Sequence, residues 1–164
     1  MKELSPKEAL RLLSPSPFAL LTVRKENGCT NLAAVSWWTY LSNSPPLLGV
    51  SLGQKGMSGE AIRRRKEFTL CIVGEDLREK ALKCGQCSGR DVDKAAAFDI
   101  PLEAAAEVSP DIVSGARLVF ECRLVDTQTV GDHVFHIGEI VTISGDPEVP
   151  ALYAFDGYKK LDTI

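Results

Sequence analysis

The sequence is short of the residues that build metal centres and basic surfaces. Its 164 residues hold two histidines, and 19 lysines and arginines stand against 22 aspartates and glutamates. The formal charge is -3. That excludes the broad basic face needed for wholesale binding of nucleic acid or an anionic membrane. The one basic run, Arg63-Arg64-Arg65-Lys66, is too local to alter this. No apolar stretch approaches the ~20 residues of a membrane-spanning helix, and no apolar core follows the lysine of Met1-Lys2-Glu3-Leu4, so no secretory signal is expected there. The five cysteines, Cys29, Cys71, Cys84, Cys87 and Cys122, are an odd set. Without a signal, free thiols in a reducing cytoplasm are the expectation. Internal repeats, low-complexity tracts and a dividing linker are also lacking, so residues 1–164 are expected to form a single domain.

What is present is an ordinary globular composition, 45% hydrophobic and 25% charged, which can bury a core without metal or disulfide. Ser5-Pro6-Lys7-Glu8 spells a capping box with proline at the first helical position. Strand-like runs follow at Phe18–Lys25, Cys29–Ser36, Leu47–Leu52 and Phe68–Val73, with Glu26-Asn27-Gly28 as a hairpin turn. Trp37–Pro46 reads as a loop, Ser58–Lys66 as a short helix and Asp76–Cys87 as another, with a turn or helix over Asp91–Phe98. Leu118–Leu124 alternates with period two. A second long strand covers His133–Ser144, and a short one lies near Ala151–Phe155. Six or seven strands joined mostly by short turns, with two or three helices inserted, favour an antiparallel barrel over a doubly wound sheet.

Four constellations could carry chemistry. Gly53-Gln54-Lys55-Gly56-Met57-Ser58-Gly59 joins a strand to a helix. It offers a lysine, a serine at the expected N-cap and a helix N-terminus suited to phosphate; equally, Ser58 could be a cap and Lys55 a solvated side chain. Trp37-Trp38-Thr39-Tyr40 gathers both tryptophans, as a wall for a planar ligand or as core or interface filling. Cys84-Gly85-Gln86-Cys87 is a lone CxxC. It has no second pair and no spaced histidines, so zinc is not expected, and it closes a helix rather than opening one. A thiol–disulfide role through Cys84 and Cys87 stays as an alternative. His133 and His136, three apart in a strand, point to opposite faces and cannot form a simple metal pair. His133 follows Gly131-Asp132 at a strand mouth, either as a ligand contact or as a surface histidine. No nucleophile elbow or paired carboxylates accompany these.

In this order the motifs resemble the flavin reductase-like family of FMN-binding split barrels, most closely its flavoredoxin-type branch. Asn31-Leu32-Ala33-Ala34-Val35-Ser36-Trp37 resembles the family's second strand and its exit. Ser44-Pro45-Pro46-Leu47-Leu48-Gly49-Val50-Ser51-Leu52 resembles its double-proline strand. Lys55–Ser58 with Ala61-Ile62 and Glu67-Phe68 resembles the phosphate loop, helix and next strand. Ser88-Gly89-Arg90-Asp91-Val92-Asp93-Lys94 and Gly131-Asp132-His133 with Gly138-Glu139 match two further segments. The resemblance covers about residues 14–145. It implies a mainly β, Greek-key-like antiparallel split β-barrel with helical insertions, assembled as a homodimer with FMN at the interface. It implies an oxidoreductase that reduces flavin with NADH or NADPH, or an electron carrier serving a redox partner protein. Asn31, Ser36, Trp37, Trp38 and Thr39 fall beside the flavin, Lys55 and Ser58 at its phosphate, and Lys94 and His133 at the cofactor site, His133 being the one catalytic candidate. Cys71 replaces a common asparagine, Ala95 a common phenylalanine, and the sequence stops at Ile164, earlier than many flavoredoxin-type members. A split barrel that binds a ligand without catalysis is the remaining alternative.

Overall fold

In the computed structural model, which describes residues 1–164, the capping box forms as the sequence requires. Ser5 Oγ accepts from the Glu8 amide, and the Glu8 carboxylate accepts from the Ser5 amide at 2.9 Å. The elements that follow are α1 (Pro6–Leu12), β1 (Ser16–Pro17), β2 (Ala19–Arg24), β3 (Thr30–Val35), β4 (Trp38–Asn43), β5 (Pro46–Gly53), α2 (Met57–Arg65) and β6 (Glu67–Ile72). A 3-10 turn at Glu75–Leu77 leads to α3 (Arg78–Cys84) and α4 (Lys94–Ala97). Then come β7 (Leu102–Glu103), β8 (Ile112–Val113), β9 (Leu118–Val130), β10 (His133–Gly145), β11 (Tyr153–Phe155) and β12 (Lys160–Asp162). No helix is long and apolar enough to cross a membrane.

Seven strands form one antiparallel sheet in the order β3-β2-β6-β9-β10-β5-β4. Its two edge strands, β3 and β4, are consecutive in the chain and separated only by Ser36 and Trp37. Laid flat, the six gaps of such a sheet would hold its edges roughly 28 Å apart. The three Cα steps from Val35 to Trp38 span at most about 11 Å. The sheet must therefore roll into a barrel. β3 and β4 do not pair with one another, so the barrel is split at this corner.

The roll gives β2 two buried faces, which is why it reads as an unbroken apolar run. Ala19, Leu21 and Val23 enter the barrel core with Leu48, Val50, Phe68, Leu70, Phe120 and Ile140. Phe18 and Leu20 face a second core shared with Leu77, Ala81, Cys84 and the C-terminal Leu152, Ala154 and Leu161. The sheet β1-β11-β12 and the helices α3 and α4 thus cover one outer face of the barrel.

The structure alters several expected boundaries. Residues 38–43 are a strand, not a loop. β4 is an edge strand whose side chains are exposed or half-buried throughout, so it carries no buried alternation to betray it. The expected helix over Asp76–Cys87 is only Arg78–Cys84 behind a 3-10 turn. β9 runs on to Val130 because its second half leaves the core and turns polar. The two-residue strands β1, β7 and β8 lie below the length at which periodicity is visible.

Two histidines three apart do occupy opposite faces: His136 is fully buried and His133 half-buried. His136 Nε2 lies 3.2 Å from a guanidinium nitrogen of Arg63. Arginine can only donate, so Nε2 accepts and Nδ1 carries the proton; Nδ1 has no partner. Burial, and then the Arg63 charge, push the His136 pKa below its ordinary value. The imidazole is therefore held neutral inside the fold.

Two predictions follow from this packing. A Cβ on Gly138 would lie 2.6 Å from Phe68 Cζ and 3.0 Å from Cys122 Cβ, so Gly138→Ala should cost about 1–3 kcal/mol by overpacking. Urea unfolding should show a lower midpoint with an unchanged slope; an unchanged midpoint would mean that Phe68 yields freely. His136 contributes stability that is fully present above its unfolded pKa of about 6.5 and is lost as pH falls through its lowered folded pKa. The stability difference between wild type and His136→Gln should therefore narrow below about pH 6.5. A difference independent of pH would contradict a buried neutral imidazole.

Candidate functional site

The split corner opens onto a cavity of about 470 Å³, within the range of small-molecule sites. Ser36 and Trp37 enter it from the β3–β4 corner, Ser51, Leu52 and Gly53 from the end of β5, and His133 from the start of β10. Leu82, Gly85 and Gln86 close it from α3 and its exit, and Phe18 and Tyr158 from the covered face. The corner is pinned where the Ser51 amide donates to the Trp37 carbonyl at 2.8 Å. Trp37 and His133 form one wall, with ring centroids 4.9 Å apart and planes inclined by 43°. Trp37 remains 47% exposed, unusual for a large apolar ring with an aromatic neighbour, and this leaves a face free for a planar ligand.

His133 is oriented by its neighbour. Nδ1 is 2.6 Å from Asp132 Oδ1; a carboxylate only accepts, so Nδ1 carries the proton and Nε2 is the ring's remaining polar atom. That hydrogen bond, followed by the imidazole's charge, holds the Asp132 carboxyl below its usual range. Tyr158 packs edge-on against Phe18 at 6.3 Å, and burial pushes its phenol pKa upward. It is held at φ 72° in a turn where Asp156 and Gly157 also take positive φ, a conformation costly for a bulky residue.

Gly53 is also where the chain leaves the cavity for α2. The Gly56 amide donates to the Gly53 carbonyl at 2.9 Å, and Gly56, not Ser58, is the N-cap. Glycine supplies no capping side chain, so the first-turn amides of Met57, Ser58 and Gly59 keep their capacity for an external acceptor. Ser58 is the second residue of the helix and is 8% exposed. Asn31 Nδ2 donates to its Oγ at 3.1 Å. Asn31 Oδ1 is buried without a partner, and Gly89 packs so closely on it that a Cβ there would overlap Asn31 and lie 2.7 Å from Met57 Cε.

The structure thus groups Ser36, Trp37 and His133 in one cavity, and Asn31 with Ser58 at the helix start three residues from its rim. Of the remaining expected residues, Lys55 lies in the loop between the two groups, and Trp38, Thr39 and Lys94 line neither. Trp38 is half-buried against the barrel core with Nε1 unpartnered. Thr39 is exposed on the edge strand, its hydroxyl donating to the Tyr40 carbonyl at 3.2 Å. Lys55 is exposed, and its carbonyl accepts from Arg90 at 3.4 Å. Lys94 is 4% exposed, and its ammonium donates to the Cys84 carbonyl at 2.6 Å. Burial lowers the Lys94 pKa, against the opposing pull of the Cys87 and Cys84 thiols. Lys94 therefore braces the turn that presents Gly85 and Gln86 to the cavity.

The CxxC thiols are both free. Burial pushes Cys84 up to about 11, the opposite of an activated thiolate. Sequence reasoning missed Tyr158, Ser51 and the Gly85-Gln86 wall. The last lay within a motif read only for its cysteines, and Tyr158 follows a glycine in a segment beyond the recognised motifs.

A flavin fits the donors present. Ser36 Oγ is a buried hydroxyl without a partner at the aromatic cavity, and the uncapped first-turn amides of α2 are donors suited to a phosphate; Asn31 Oδ1, also buried without a partner, is an acceptor and suits an N–H or hydroxyl donor of the ligand. The comparisons agree with this chemistry. A family model described as the flavin reductase like domain matches residues 11–162. The chain is 31% identical over 142 residues to an NADH:riboflavin 5'-phosphate oxidoreductase of Streptomyces pristinaespiralis, covering 84% of this chain and 76% of that protein. It is 28% identical to a protein of Archaeoglobus fulgidus over 70% of this chain, but spans only 64% of that relative's length. The crystal structure of a flavoredoxin from Methanosarcina acetivorans superposes with a TM-score of 0.88 at 21% identity, covering 100% of this chain and 91% of that one. With the rolled sheet, the split corner and a family match over nearly its whole length, this chain belongs to the flavin reductase-like family.

Proposed function

We propose that the protein is an FMN-dependent oxidoreductase whose flavin ring lies against Trp37 and His133 and whose phosphate lies at the start of α2. The observation that carries this reading is the pairing of an aromatic cavity with a glycine-capped helix N-terminus three residues away. Along the chain, Gly53 to Gly56 spans at most about 11 Å, so one ligand can engage both. The family match and the resemblance to an NADH:riboflavin 5'-phosphate oxidoreductase support a nicotinamide cofactor as donor. Electron transfer to a partner protein is the other form of the same reading, supported by the structural likeness to a flavoredoxin.

When bound, FMN supplies the two-electron chemistry. The protein's part is to bind and orient. Trp37 offers a ring face, and Ser36 Oγ an unpaired hydroxyl. Asp132 fixes the His133 tautomer with the proton on Nδ1, so Nε2 faces the cavity as an acceptor for an N–H or hydroxyl of the bound ligand. The helix N–H groups, Ser58 and the nearby Lys55 suit a dianion. Lys94 contributes by holding the Gly85–Gln86 wall. In this account the five thiols remain reduced in the cytoplasm.

We also assign the working form to a homodimer. Trp37, Tyr40 and Leu41 are each more than 40% exposed along the unpaired edge of the barrel, and an exposed aromatic edge is ordinarily covered by a partner. Sedimentation of the FMN-loaded protein should give a dimer at micromolar concentration; a monomer would contradict the assignment.

The site is tested by comparing FMN with riboflavin, which lacks the phosphate. Ser58→Ala should weaken FMN about ten- to a hundredfold, the worth of a hydrogen bond to a charged group, and leave riboflavin nearly unchanged. Trp37→Ala should weaken both ligands alike. If Ser58→Ala leaves the FMN-to-riboflavin affinity ratio unaltered, the phosphate does not sit at α2.

A further inference from the structure

The flavin site gives the two thiols of the CxxC turn no role. They stand three residues apart at the exit of α3, and the residues between them, Gly85 and Gln86, are cavity wall. Winding continues past the end of the helix. The Gly85 amide donates to the Leu82 carbonyl at 3.2 Å and the Gln86 amide to the Lys83 carbonyl at 3.0 Å. The Cys87 thiol lies back on the same Lys83 carbonyl at 3.8 Å. Positions i and i+3 of a helical turn share a face with α-carbons about 5 Å apart. That falls inside the roughly 4.4–6.8 Å that a disulfide spans.

The two thiols are free at rest but unequal: Cys84 is buried, and Cys87 is open in part to solvent. The buried ammonium of Lys94 donates to the Cys84 carbonyl. Burial lowers the Lys94 pKa while the Cys87 and Cys84 thiols oppose that fall, so the cation lies close to both sulfurs. A cation there favours the thiolate that attacks an oxidant. Burial, which pushes Cys84 up to about 11, withholds the thiolate stabilisation that makes some CxxC disulfides easily reduced. These features suit a pair that joins slowly and stays joined, not a fast exchange catalyst. The wall between them is tightly seated. A Cβ on Gly85 would lie 3.3 Å from Ala34 Cβ, and Ala34 lines the same cavity.

We propose that Cys84 and Cys87 are a modification site, joined by hydrogen peroxide into a disulfide that shifts the Gly85–Gln86 wall and weakens flavin binding. The effect on flavin rests on the flavin reading, whereas formation of the bond does not. The Cys87 thiolate attacks one peroxide oxygen and the O–O bond breaks. Cys87 becomes a sulfenic acid, and the departing hydroxide takes up the proton that the thiol gave up, forming water. Cys84 sulfur then attacks Cys87 sulfur as the S–O bond breaks. The second hydroxide takes the Cys84 proton and leaves as water. The dithiol loses two electrons and the peroxide gains them.

Trypsin cuts after Lys83 and Arg90, so one peptide, residues 84–90, carries both thiols and no other cysteine. Reduced protein is treated with hydrogen peroxide, alkylated and digested without reductant. The expected peptide is two hydrogens lighter than its dithiol form, takes no alkyl label, and regains both thiols in dithiothreitol. Oxidised wild type should bind FMN and riboflavin about tenfold more weakly, both alike, because the wall faces the ring and not the phosphate. Reductant should restore both affinities. Cys87→Ser should bind flavin as reduced wild type does and ignore peroxide. The proposal is overturned if both thiols stay alkylatable, or if Cys87 is oxidised to the sulfinic acid while Cys84 remains a thiol. It is also overturned if the disulfide forms and leaves both flavin affinities where they were. Reduced protein that refuses FMN would sink the flavin reading, and the peptide mass would still decide whether the bond forms.

Discussion

The fold depends on a two-residue connection. Ser36 and Trp37 join the strands that form opposite edges of a seven-stranded sheet, and no flat or gently twisted sheet can satisfy so short a link. Rolling is the only solution. The same link prevents β3 and β4 from pairing, because a tight corner between them leaves no room for a ladder. The gap in the barrel is thus a product of its closure. Ser36 and Trp37 are held at that gap with their side chains committed to the cavity rather than to either core. The scaffold places the site residues without a dedicated binding loop.

Charge and polarity around the gap are arranged by subtraction. At α2 a glycine stands where a capping side chain would otherwise consume the free amides. At Asn31 the absence of a Cβ on Gly89 lets a backbone segment approach the amide side chain. Deeper in the barrel, His136 is kept neutral by burial and by Arg63, which avoids a buried like-charge pair beneath α2. Lys94 is spent on a carbonyl at the end of α3, which fixes the far wall. Each device is a local choice of residue whose purpose shows only when the neighbouring segment is in place.

Much of this was legible in the sequence, and the limits have physical reasons. The barrel strands with a buried face, β2, β5, β6 and the first half of β9, announced themselves by apolar runs or alternation. β4 did not, because an exposed edge strand has no buried face to encode. Ser58 is recognised as a phosphate candidate but assigned two positions too early, since Gly56 can cap without any side-chain signature. The link between Asn31 and Ser58 spans 27 residues and has no local trace. Lys94 was expected at the cofactor. Its partner, the Cys84 carbonyl, is a backbone atom, which no residue pattern could reveal. Tyr158 reaches the cavity through a left-handed turn that propensity would assign to glycine.

The central claim is that the corner cavity and the α2 terminus together form one flavin site. The most direct measurement is the absorption spectrum of the protein after incubation with excess FMN and thorough desalting. The account predicts retained flavin bands, approaching one flavin per chain, with the band shape perturbed relative to free FMN by the Trp37 ring. A colourless protein after desalting, with no measurable FMN affinity in titration, would contradict it.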